Sequence, residues 1–251
     1  MLQVQNLNKS YQNGVNTYPV LKDVSFAVKK GEFVAVMGPS GSGKTTLLNC
    51  ISCFIPSDSG TILLGGKDIS GLDERKIAKV RNENLGFVFQ DFMLLDGLTV
   101  RENICMPQII AGAPVTQMEV KAEKLCQLFG ITKVIDKYPA EISGGEKQRT
   151  AVARALMNNP YVILADEPTG NLDSKSCKAV IEAFLQAKEQ AGATIFMVTH
   201  DSFAASFCDR VIVLADGTIH QEIIKTGTRR QFMDQLLDVL RNLGGGDDDN
   251  E

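Results

Sequence analysis

No apolar stretch among the 251 residues approaches the ~18 needed to cross a bilayer, so any membrane link of this chain is expected to be peripheral. The start Met1-Leu2-Gln3-Val4-Gln5-Asn6 lacks the charged-then-apolar design of an export signal. A long basic stripe is missing as well. Four of the 30 acidic residues (Asp247, Asp248, Asp249, Glu251) fall in the last five positions, and the remaining 26 balance the 26 basic ones. A neutral body of this kind excludes nucleic acid as an expected partner. Histidine is limited to His200 and His220, and only Cys50 and Cys53 form a close cysteine pair, so neither a zinc cluster nor a disulfide framework is expected. The six cysteines read as reduced thiols of a cytoplasmic protein, with Cys50 and Cys53 at i and i+3 of one helix as small apolar residues.

What is present starts with Gly38-Pro39-Ser40-Gly41-Ser42-Gly43-Lys44-Thr45-Thr46, directly after the apolar run 32–37. This is the pattern G-x-x-x-x-G-K-[ST]. Small residues let backbone N–H groups wrap a phosphate, the lysine reaches the β and γ oxygens, and the Thr45 hydroxyl can ligate Mg²⁺. The helix that follows, 43 to about 53, directs its positive end at the phosphates. Nucleotide is therefore the expected ligand.

Short β-like segments occupy 3–7, 24–28, 32–37, 61–64 and 85–89. Residues 91–158 turn to helical spacing, interrupted by Pro107, Gly112 and Pro114. Continuous apolar runs return at 161–165, 193–198 and 211–214, which suits parallel strands covered on both faces. The expected fold is α/β, a P-loop nucleotide-hydrolase core with an antiparallel β subdomain and an inserted α-helical subdomain. Expected boundaries are one domain over 1–246: core and β subdomain at 1–90 and 159–225, helical subdomain at 91–158, a C-terminal amphipathic helix at 228–243, then a disordered acidic tail at 247–251.

Asp166-Glu167 closes the run 161–165. Ligands of open parallel sheets bind beyond the carboxyl ends of strands, and successive strand residues point to opposite sides. Asp166 is thus expected to hold Mg²⁺ and Glu167 to polarise the attacking water. Further on, Ser143-Gly144-Gly145 opens a segment of strong helix formers. Taken alone it reads as a serine N-cap with a glycine turn. Beside an existing phosphate loop, its bare amides read as a second anion site for the γ-phosphate held by another copy of the chain, two chains sandwiching two ATP molecules.

Together these residues resemble the ATP-binding cassette family, from Leu2 to about Gly246. Ile142-Ser143-Gly144-Gly145-Glu146 looks like its signature, with Ile and Glu where Leu and Gln are usual. The resemblance implies that Tyr11 stacks on adenine, Gln90 senses Mg²⁺ and water, Asp173 contacts the opposing protomer and His200 binds the γ-phosphate. It implies an ATP-hydrolysing homodimer, peripheral at the inner face of the cell membrane, whose closure drives a separate permease. A long heptad insert and a second cassette are both absent, which favours the transporter branch over the chromosome-organising and ribosome-acting ones. Pro168-Thr169-Gly170-Asn171-Leu172-Asp173 is similar to the lipoprotein-release, macrolide-export and cell-division group. The stretches 87–96, 201–210 and 230–245 are most like the bacitracin-resistance type. That type implies a permease with a large extracellular domain, often a sensor histidine kinase, and resistance to or sensing of antimicrobial peptides. A complex that drives signalling or enzyme activation without transport is the alternative. Phe92-Met93-Leu94-Leu95 is either a docking groove or core, and the apolar face Phe232, Leu236, Val239, Leu240, Leu243 packs on its own domain or on the partner.

Overall fold

The computed structural model describes residues 1–170 and 172–244; the acidic tail and Asn171 lie outside them. In chain order these residues form β1 (Leu2–Asn13), β2 (Asn16–Val28), β3 (Phe33–Met37), α1 (Lys44–Ile51), β4 (Ser59–Leu64), β5 (Lys67–Asp68), α2 (Glu74–Asn84), β6 (Leu85–Phe89) and α3 (Val100–Ile110). There follow α4 (Val115–Leu128), α5 (Gly144–Ala155), β7 (Val162–Asp166), α6 (Ser174–Ala191), β8 (Ile195–Val198), α7 (Ser202–Ala205), β9 (Arg210–Ala215), β10 (Thr218–Ile224) and α8 (Arg229–Gly244). Two compact units divide the chain.

Among the described residues, the first unit comprises Met1–Lys29, Phe33–Gly71 and 196–244. Its antiparallel sheet has the order β2-β1-β4-β5, and a second sheet region runs β10-β9-β3-β8. Every residue of β3 and β8 is buried, as continuous Val/Ile/Phe/Met runs between covered faces require. The Phe26 and Phe196 rings stack at 5.4 Å. Strands β1 and β2 extend well past the apolar 3–7 and 24–28 segments, as a hairpin that pairs Tyr11 with Tyr18 and is exposed near its tip. No apolar alternation marks that extension, so it was not legible in the sequence.

Helix α8 buries Phe232 and Leu236, each 1% exposed, while Val239, Leu240 and Leu243 are half-buried. Arg229 at its start lies over the Phe203 and Phe207 rings of the α7 segment, at 5.1 and 4.5 Å. Phe232→Leu should lower unfolding free energy by about 1 to 2 kcal/mol through lost contacts and a residual cavity. The midpoint of urea unfolding checks this; an unshifted midpoint would mean that α8 adds nothing to its unit.

The second unit comprises Lys30–Glu32 and Leu72–Ile195. Strands β6 and β7 pair in parallel from Leu85↔Val162 to Phe89↔Asp166. Around them α5 carries the buried stripe Gln148, Ala151, Val152, Ala155 at helical spacing. Helix α3 is capped by a Thr99–Glu102 box and runs through Pro107 to Ile110, correcting the reading of Pro107 as an interruption. A proline removes a single helical bond, and the Pro107 carbonyl still accepts from Ala111 N–H. Helix α2 buries no residue and so left no apolar stripe to read.

Candidate active site

In the first unit, β3 delivers the chain to Gly38, where a Cβ would lie 2.0 Å from the Leu214 carbonyl oxygen of β9. Only glycine passes there. Gly43, at φ 101°, opens α1 with no side-chain cap, so the helix presents its positive end to the loop. Lys44 Nζ donates to the carbonyls of Gly38 (2.9 Å) and Pro39 (2.8 Å), and the loop is folded around its ammonium. Pro39, Ser40, Gly41 and Thr45 are exposed, Thr46 is half-buried and Ser42 is buried. This arrangement fits a phosphate chain. The Thr199 amide donates to the Val36 carbonyl at 3.1 Å, which sets exposed His200 at the loop end of β3. Tyr11 is 44% exposed, with Lys9 Nζ 5.7 Å above its ring. Cys50 is buried, and burial pushes its thiol up to about 11; Cys53 lies beyond the end of α1 at φ 56°, which corrects its placement on the helix.

In the second unit, the register Phe89↔Asp166 releases Gln90 and Glu167 from neighbouring strand ends. Gly170 packs against Gln90: a Cβ there would lie 3.1 Å from the glutamine Cδ. Burial, then the charge of neighbouring Glu167, holds the Asp166 carboxyl above the ordinary range. A divalent cation would relieve that cost, and an oxygen donor such as this one suits Mg²⁺. Strand β7 ends at Asp166 and Glu167 adopts a left-handed φ of 44°, so strand alternation does not extend across the pair. A turn, not strand alternation, separates the two carboxyls.

The α5 start differs from a bare anion site. Ser143 Oγ accepts from the Glu146 amide (3.4 Å), while the Glu146 carboxylate accepts from the Ser143 amide (2.8 Å) and hydroxyl (2.7 Å). This capping box occupies two of the amides expected to be open, because a glutamate stands at the third helical position. The same bonds hold Glu146 below its ordinary value of 4.5. Gly144 packs beside Leu172 and Gly145 beside Ser176, so the helix start lies next to the Asp173 segment. Asp173 caps α6 through the amides of Lys175 and Ser176, both at 3.0 Å. Met93 and Leu95 are exposed and Phe92 and Leu94 half-buried, giving the 92–95 stretch one face of each kind.

Two residues escaped the sequence reading. Gln148 is fully buried and donates to the carbonyls of Phe89 and Pro168. Arg154 donates to the carbonyls of Phe92 and Met93, both in left-handed conformations, and burial lowers its guanidinium to about 10. A polar residue on the otherwise apolar α5 stripe was the available signal for Gln148.

Fold and site define a P-loop nucleotide hydrolase of the α/β class. Residues 21–170 match the ABC transporter family, and the chain belongs to it. It is 48% identical over 249 residues (99% of this chain, 96% of the relative) to the ABC transporter ATP-binding protein YxdL of Bacillus subtilis. To the bacitracin export ATP-binding protein BceA of Halalkalibacterium halodurans it is 44% identical over 251 residues (100% and 99%). A dimeric ATP-binding cassette solved in a post-hydrolysis state with ADP and Pi superimposes with a TM-score of 0.80 at 37% identity, covering 91% of this chain and 100% of that one. The chain is an ATPase.

Proposed function

We propose that this chain works as a homodimer that binds MgATP, closes on it, and passes that closure to a permease with a large extracellular domain. The register Phe89↔Asp166, which sets Gln90 and Glu167 just past the ends of two neighbouring strands, carries the reading of the site. Gly38 to Thr46 cradle the phosphates, Lys44 neutralises the β and γ oxygens, and Tyr11 stacks on adenine. Thr45, Asp166 and Gln90 would hold Mg²⁺, which would supply positive charge to offset that of the phosphates. Glu167 accepts a proton from the attacking water, and His200 donates to the γ-phosphate. Ser143, Gly144 and Gly145 complete the site of a second copy, beside Asp173. For that contact the Ser143 hydroxyl must turn from Glu146 to the phosphate.

Glu146→Gln keeps an acceptor for the Ser143 amide and removes a negative charge near the incoming phosphate. ATP-driven dimerisation should tighten about fivefold at low salt, on the order of 1 kcal/mol of relieved repulsion, and less at high salt. Sedimentation of a hydrolysis-deficient background at two salt concentrations reads this. Equal association at both salts would sink the γ-phosphate role.

A groove of about 240 Å³ lined by residues including Phe87, Phe89, Met93 and Arg154 is the surface offered to the permease, at the inner face of the membrane. The full-length similarity to a bacitracin export ATPase supports a peptide antibiotic as the substrate handled or sensed; a sensor histidine kinase is the further partner that the proposal adds. Disrupting the gene should lower the inhibitory concentration of bacitracin. Unchanged susceptibility to bacitracin and related peptides would move the reading to a complex that drives signalling or enzyme activation.

A further inference from the structure

The amide of Gln148 spends both of its donors on two separate segments, the end of β6 and the turn after β7. Its Nε2 lies 3.2 Å from the Phe89 carbonyl, one residue before Gln90, and 2.9 Å from the Pro168 carbonyl, one residue after Glu167. The side chain is fully buried, and its Oε1 has no hydrogen-bond partner among the described residues. An orphaned buried acceptor is costly. Methionine would fill the same space without it, so packing alone does not account for glutamine here. The opposite amide orientation would set oxygen against two carbonyls, so a single rotamer satisfies both bonds. Arg154 holds the same loop from its far side, through the Phe92 and Met93 carbonyls, and α5 therefore grips the chain both before and after Gln90.

We propose that Gln148 is a positioning residue for ATP hydrolysis: it fixes the separation of Gln90 and Glu167, and makes both follow the placement of the helix that begins at Ser143. The proposal rests on the reading that Gln90 and Glu167 act on ATP. Gln148 itself is fully buried, so its side chain is not offered to a nucleotide. Its loss should misplace the water and the acid that polarises it while leaving the phosphate loop intact, and errors of about 1 Å at a reacting centre cost up to roughly 10²-fold in rate.

The test uses the full chain and steady-state ATPase kinetics. Gln148→Met should lower kcat about 10- to 50-fold, with KM for ATP and nucleotide affinity within twofold of the parent. In Gln148→Glu, a buried carboxyl facing two carbonyls ionises above its usual range. Its protonated form can donate one of the two bonds. The kcat of this variant relative to the parent should therefore be highest at pH 6 and fall as pH rises to 9. A Gln148→Met kcat within twofold of the parent, or a change confined to KM, would overturn the proposal. If the methionine variant does not fold, the glutamate variant decides, and a pH-independent ratio overturns it. Normal turnover by Glu167→Gln in the same assay would instead overturn the underlying reading of the site, so the two failures are distinguishable.

Discussion

Glu167→Gln is expected to bind ATP as tightly as the parent and to hydrolyse it roughly 10²- to 10⁴-fold more slowly, the range supplied by a positioned general base. The substitution is nearly isosteric, and an amide tolerates the left-handed φ of 44° about as well as the acid. What disappears is the proton acceptor. The charge lost also raised Asp166, so the neighbouring carboxyl should ionise more readily in the variant and metal binding should extend to lower pH. ATP-dependent dimers should accumulate because closure is no longer followed by cleavage. Single-turnover hydrolysis with a sedimentation readout separates these steps. Turnover at the parental rate would remove Glu167 from its assigned place.

Lys44→Ala acts earlier, on binding itself. The ammonium is bonded to two carbonyls of its own loop, from Gly38 and Pro39, and stands where a phosphate chain would take over its donors. Charge-assisted bonds of this kind contribute about 1.5 to 3 kcal/mol each. Loss of two such bonds should weaken ATP binding by at least about 100-fold. Equilibrium titration with a fluorescent ATP analogue measures it, with circular dichroism confirming the fold. Unchanged affinity would contradict the phosphate-loop reading.

The parts of this molecule legible in the sequence are those where one physical signal dominates. β3, β7, β8 and β9 are continuous apolar runs because both of their faces are covered, and the glycine loop is visible because Gly38 and Gly43 occupy conformations and spaces that side chains do not. Illegible features depend on partners distant in the chain. Gln148 bonds to residues 59 and 20 positions away, and Arg154 reaches back 61 and 62. No local pattern encodes such contacts. The Ser143 capping box was encoded, in Ser-x-x-Glu, but beside a phosphate loop the same residues also read as an anion site. Only the observed bonds show which arrangement the isolated chain adopts.

The grip of α5 on the 89–93 segment has a mechanical consequence. A helix rises about 1.5 Å per residue, so Arg154 lies roughly 16 Å along the axis from Ser143 and Gln148 roughly halfway between them. Gln148 and Arg154 hold the two ends of the 89–93 segment from one rigid rod, so a displacement of that segment along the axis carries Ser143 with it in the same sense.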